Sequence, residues 1–244
     1  MQPSPVRAQP HATTPRWKMC KNQIMYRKLA FYSDQQTERS SKLDEHLLSL
    51  IGKQRPIIGY IPSSTDAERT WYKQQQAYYK SLDADLSVYF ELEIEYEPDK
   101  AKNLFTCDAI HLSGGSTYNF LYWLRKRGLI SLLHDYVANG GVLIGVSAGA
   151  ILMTPEISTT HICGEEPSHN LTDLSALNFV DFAFLPHINR IEDVENKLIE
   201  YSITQSGKIF GCPDGDGIIV NGNGIQCVGD LILAENGKLK SVVN

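Results

Sequence analysis

An α/β fold built on a mostly parallel sheet is predicted by three features of the sequence. Short apolar runs alternate with longer polar-rich helical stretches from Tyr26 onward, the 244 residues suit one large domain, and neither an internal repeat nor an interior linker interrupts them. Taken in order, strands are expected over residues 28–32, 57–61, 86–90, 109–112, 142–146, 182–185 and 208–211. Helices are expected between them, over 38–51, 67–82, 117–126, 130–139, 148–153 and 191–204. The last thirty residues differ: runs at 218–220, 225–228 and 231–234 are brief and separated by Gly and Asn, which reads as hairpins closing one edge of the sheet. Residues 1–24 carry four prolines, several basic residues and no apolar periodicity, and read as a disordered extension; an organelle-targeting segment, or a true start at Met25, are the alternatives. Residues 25–244 then form a single domain.

A formal charge of −5 with mixed signs along the chain leaves no electrostatic footprint for nucleic acid or an anionic membrane. Five widely spaced cysteines without a Cys-x-x-Cys argue against a disulfide framework or a zinc knuckle and for a reducing cytosol. No run of apolar residues approaches the length that spans a bilayer, and the N-terminus lacks the apolar core of a secretory signal. The expectation is therefore a cytoplasmic protein that acts on a small peptide, without metal or cofactor, with a homodimer as an allowed assembly.

The chemistry is concentrated in Gly145-Val146-Ser147-Ala148-Gly149, where an apolar strand candidate ends in a hydroxyl residue flanked by small ones. That is the composition of a nucleophile elbow, a sharp strand-to-helix turn that exposes a serine and lets neighbouring backbones approach. The amide of Ala148 then opens a helix and can donate to a developing oxyanion. A chance Gly-x-Ser-x-Gly in a loop is the bland alternative, and the strand before it argues otherwise. Ser113-Gly114-Gly115-Ser116-Thr117 follows another strand candidate, and its paired glycines permit backbone amides turned toward a substrate oxygen. An ordinary turn or a phosphate loop would look similar, but neither phosphate-loop pattern, Gly-x-x-x-x-Gly-Lys or Gly-x-Gly-x-x-Gly, is present. His187 ends the apolar run Phe182-Ala183-Phe184-Leu185-Pro186 and so emerges at a strand end, where open α/β sheets place their sites. It is the candidate general base, with His161 and His169 as fallbacks.

Together, Ser113-Gly114-Gly115-Ser116-Thr117 with Tyr118-Asn119-Phe120-Leu121-Tyr122-Trp123-Leu124, then Gly145-Val146-Ser147-Ala148-Gly149-Ala150, then Leu185-Pro186-His187, resemble the peptidase E (aspartyl dipeptidase) and cyanophycinase family of serine peptidases. The likeness runs from about Tyr26 to the C-terminus and includes Pro213-Asp214-Gly215. It implies a flavodoxin-like sheet with helices on both faces, related to class I glutamine amidotransferases. It also implies Ser147 as nucleophile, His187 as base, and Gly114, Gly115 and Ala148 near the oxyanion. Two departures stand out: Ser116 replaces the asparagine that usually follows the glycine pair, and no aspartate lies some fifteen residues after the serine, where the family's acid is sought. Glu165, in the loop expected to pass the base, is chosen as the acid over Glu166, with a Ser-His dyad as the alternative. The family cleaves beside aspartate, and selecting a carboxylate normally takes a placed cation; Arg190 is the candidate, with a solvated helix-start residue as the bland reading. Competing functions are an esterase of the α/β-hydrolase type, a glutaminase, which would need cysteine in the elbow, and an inactive relative that binds a ligand.

Overall fold

The computed structural model describes residues 26–205 and 207–243; the extension expected over residues 1–24 lies outside them. The chain forms β1 (Lys28–Tyr32), α1 (Ser41–Ile51), β2 (Ile57–Ile61), α2 (Thr70–Ser81), β3 (Asp85–Tyr89), α3 (Ala101–Leu104), β4 (Ala109–Leu112), α4 (Thr117–Lys126), α5 (Leu129–Ala138), β5 (Val142–Val146) and α6 (Ala148–Leu152). It continues through β6 (Phe182–Leu185), α7 (Val194–Thr204), β7 (Lys208–Gly211), β8 (Gly217–Asn221), β9 (Gly224–Val228), β10 (Asp230–Glu235) and β11 (Lys238–Val243).

The main sheet has seven strands in the order β3-β2-β4-β5-β1-β8-β9, and the five from β3 to β1 run parallel. Parallel strands buried on both faces read as continuous apolar runs, and β4 and β5 are buried throughout. Alternate residues serve opposite faces. Ala30, Tyr32, Tyr60, Ile144 and Val146 pack against Leu43, Leu47, Tyr72 and Tyr79 of α1 and α2. Leu29, Phe31, Ile110, Leu112 and Leu143 pack against α4, α5 and α6.

The expected C-terminal hairpins divide between two sheets. β8 joins the main sheet antiparallel to β1, and β9 closes it antiparallel to β8. A second sheet, in the order β11-β10-β7-β6, takes β10 and adds β11, a strand whose exposed, polar composition gives no apolar run to read. It also takes β6 and β7, which pair in parallel. One face of this second sheet docks on the main sheet through Phe182 and Phe184, whose rings lie 5.5 and 5.6 Å from that of Phe31. Its other face is covered by α7 through Leu198 and Tyr201. No helix of the described residues is long and apolar enough to cross a membrane.

Candidate active site

Ser147 lies between β5 and α6 with φ 51° and ψ −108°, a strained conformation for a residue with a side chain. Its amide bonds Tyr32 O at 2.9 Å, and its carbonyl accepts from Ala150 and Ile151, so both flanks of the turn are fixed. The elbow is tight enough that a Cβ on Gly149 would fall 2.2 Å from Leu112 O. The Gly-Gly loop packs against the elbow at ordinary contact distance: a Cβ on Gly114 would sit 3.5 Å from Ser147 Cβ. Gly115 has φ 121°, and Ser63 Oγ donates to Gly114 O at 2.7 Å, which fixes the loop's shape. Ser116, the residue that departs from the family pattern, is the N-cap of α4 and accepts from Asn119 N.

His187 follows β6 with φ 59°. Its Nε2 lies 2.8 Å from Ser147 Oγ, and its Nδ1 lies 2.6 Å from Asp214 Oδ1. Its amide donates to Ser33 Oγ, whose hydroxyl in turn donates to Cys212 O. Ser33 follows β1, so this buried hydroxyl ties the end of the main sheet to the ends of β6 and β7. Asp214 Oδ2 accepts from Asn189 Nδ2 at 2.9 Å and from Arg190 Nε at 2.6 Å. Burial works against the charged carboxylate, but hydrogen bonds from Asn189, His187 and Arg190 outweigh it and hold Asp214 below the ordinary carboxylate range.

The carboxylate bonded to His187 is therefore that of Asp214 and not that of Glu165. The Glu165 carboxylate accepts from Ser116 Oγ at 2.7 Å and from the amides of Thr117 and Tyr118. It neutralises the open amides at the start of α4, where a negative charge is favourable, and makes no contact with His187. The fallback bases are also elsewhere: His169 bonds Asn119 and stacks on Tyr122, and His161 is exposed at the end of a short 3-10 helix.

Arg190 needs a second correction. Besides Asp214, its guanidinium binds Asp34 Oδ2 at 2.8 Å, so the cation expected to select a substrate carboxylate is held by two of the protein's own. Asp34, His187 and Asp214 bring potential metal-ligand atoms within 4.8 Å of one another. The Arg190 guanidinium already supplies the positive charge between the two carboxylates.

Beside Ser147 lies a cleft of about 520 Å³ that reaches from Gly114, Gly115 and Val146 to Asp34, Gln35, Gln75, His111 and Trp71. Clefts of this size accommodate small ligands.

The family model for peptidase family S51 matches residues 29–228. The chain belongs to peptidase family S51. It is 31% identical over 176 residues to an uncharacterized peptidase, Lmo0363, of Listeria monocytogenes, which covers 69% of this chain and 84% of that protein. It is 28% identical over 145 residues to peptidase E of a Shewanella species (strain ANA-3), covering 56% of this chain and 60% of that one. In three dimensions it superposes on a peptidase from an acI-B1 Actinobacterium with TM-score 0.65 and 16% identity, over 90% of this chain and 95% of the other, which is a likeness of fold. The S51 chain is thus a serine-type peptidase hydrolase of the peptidase E-like kind, and the α/β-hydrolase esterase is set aside. The family match extends from β1 through β9, so it takes in the main sheet, β6 and β7 of the second sheet, and every residue placed around Ser147 above.

Proposed function

We propose that this S51 peptidase hydrolyses short peptides by acyl transfer through Ser147, His187 and Asp214. The observation that carries the reading is the unbroken line of hydrogen bonds from Ser147 Oγ through the imidazole to Asp214, with the serine at a strained elbow. His187 Nε2 takes the hydroxyl proton as Ser147 Oγ attacks the scissile carbonyl carbon, and Asp214 stabilises the imidazolium that forms. The tetrahedral oxyanion faces the Gly114–Gly115 loop and the amide of Ala148. The proton then passes from Nε2 to the leaving amine, the C–N bond breaks, and water repeats the sequence on the acyl-serine to release the acid.

Substrates of two or three residues fit the cleft beside the elbow. The aspartyl preference implied by the family resemblance loses its proposed cation, because Arg190 serves Asp214 and Asp34. A cytoplasmic setting is supported by Cys107, Cys163 and Cys212, none of which is in a disulfide. A fluorophosphonate probe that labels the native enzyme and fails to label Ser147→Ala, with the fold unchanged by circular dichroism, is the expected result. Equal labelling of both proteins removes Ser147 as nucleophile.

A further inference from the structure

The cleft beside Ser147 contains a histidine that the hydrolytic machinery does not use. His111 lies on β4 and is 2% exposed, with its ring stacked 5.0 Å from that of Tyr60. Its Nδ1 lies 2.9 Å from Tyr79 Oη. A run of amides leads to that phenol: Gln36 Nε2 donates to Gln75 Oε1 at 2.6 Å, Gln75 Nε2 to Gln35 Oε1 at 2.5 Å, and Gln35 Nε2 to Tyr79 Oη at 3.4 Å. Each group donates to the next, so the phenolic hydrogen is directed onto His111 Nδ1. Burial raises the Tyr79 pKa, which keeps that hydrogen in place, and pushes His111 down to about 3, which keeps the imidazole neutral. A neutral ring that accepts at Nδ1 carries its hydrogen on Nε2. Nε2 makes no hydrogen bond within the described residues, and His111 lines the cleft.

The residues lining the cleft include Asp34 and Asp66 and no lysine or arginine. A carboxylate entering here meets no lining cation, since Asp34 is already ion-paired with Arg190 and Asp66 accepts from the amides of Thr70 and Trp71. An uncharged carbonyl oxygen needs only the one donor, and the amide nitrogen beside it finds acceptors in Gln, Ser and Asp oxygens. A ligand without an acceptor covers this donor and leaves it unpaired, so it is also disfavoured. We propose that this cleft is a specificity subsite for an uncharged carboxamide side chain, asparagine or glutamine, whose carbonyl oxygen accepts from His111 Nε2. His111 is then a specificity-determining residue, and Tyr79 with the glutamine run are positioning residues that fix its tautomer.

The inference rests on the hydrolytic reading for the cleft's role, but its test does not require turnover. Titration calorimetry of the Ser147→Ala protein with the dipeptides Asn-Leu, Asp-Leu and Leu-Leu is expected to show Asn-Leu binding about tenfold or more tighter than either of the others. In Ser147→Ala/His111→Leu the three affinities are expected to converge within about twofold. Ser147→Ala/Tyr79→Phe, which deletes one hydroxyl and leaves the packing, is expected to lower the Asn-over-Asp ratio severalfold. Asp-Leu binding as well as Asn-Leu, no measurable binding of any dipeptide, or a ratio untouched by Tyr79→Phe overturns the proposal. Fluorophosphonate labelling of the native enzyme reports on Ser147 alone, so the hydrolytic reading fails on that readout and the subsite on the binding ratios.

Discussion

Replacing Asp214 with asparagine changes one atom, and the structure dictates which way the new amide turns. Arg190 Nε and Asn189 Nδ2 both donate to Asp214 Oδ2, so the amide oxygen is held in that place. The amide nitrogen then takes the position of Oδ1, 2.6 Å from His187 Nδ1. An NH₂ group there donates to Nδ1 and forces the imidazole proton onto Nε2, which faces Ser147 Oγ at 2.8 Å. A base that already carries the proton cannot accept one. The analogous change in other Ser-His-Asp enzymes costs about 10⁴-fold in kcat, or about 5.5 kcal/mol of activation free energy. Steady-state hydrolysis of a short peptide is expected to show that loss in Asp214→Asn with KM changed less than about threefold. The same assay on Glu165→Gln is expected to stay within about threefold of the native rate, because that side chain caps α4 and does not touch the base. A loss under about tenfold in Asp214→Asn, or a greater one in Glu165→Gln, refutes the assignment of the acid.

Arg190→Ala is expected to lower kcat about tenfold with little change in KM, since the guanidinium acts through Asp214; a raised KM at unchanged kcat would place it on the substrate instead. Burial depresses the folded-state pKa of His111 to about 3 from 6.5, so the unfolded chain takes up a proton first as the pH falls. Stability from this group is complete above pH 6.5, declines by about 1.4 kcal/mol per pH unit below it, and levels off near pH 3. Urea unfolding at pH 7 and pH 5 is expected to show the native protein losing about 2 kcal/mol more than His111→Phe; parallel losses would mean that the imidazole is protonated in the folded state.

Most of the framework was legible because parallel strands are marked by unbroken apolar runs: β1, β2, β4, β5, β6 and β7 all lie where the runs are. The runs do not say which sheet a strand joins, so the second sheet escaped sequence reading. That omission also hid the acid. The acid was sought close to the elbow in sequence, yet β6 and β7 are parallel neighbours with Leu185 opposite Gly211. Residues just past those partners, His187 and Asp214, therefore emerge side by side. The signal was present in Pro213-Asp214-Gly215, an acidic residue at a turn directly after an apolar strand, the same placement that marked His187. Glu165 drew attention by its distance along the chain from Ser147, whereas its actual neighbours are the open amides of a helix 48 residues earlier.

The docking of the two sheets makes the order of synthesis matter. Ser147 belongs to the main sheet, and its base and acid belong to the other, whose strands are completed only by β10 and β11 at the end of the chain. A growing polypeptide that has already formed the elbow holds a serine with no partner to deprotonate it. Ser147, His187 and Asp214 come together only once β6 and β7 have paired and the phenylalanine interface with the main sheet has closed.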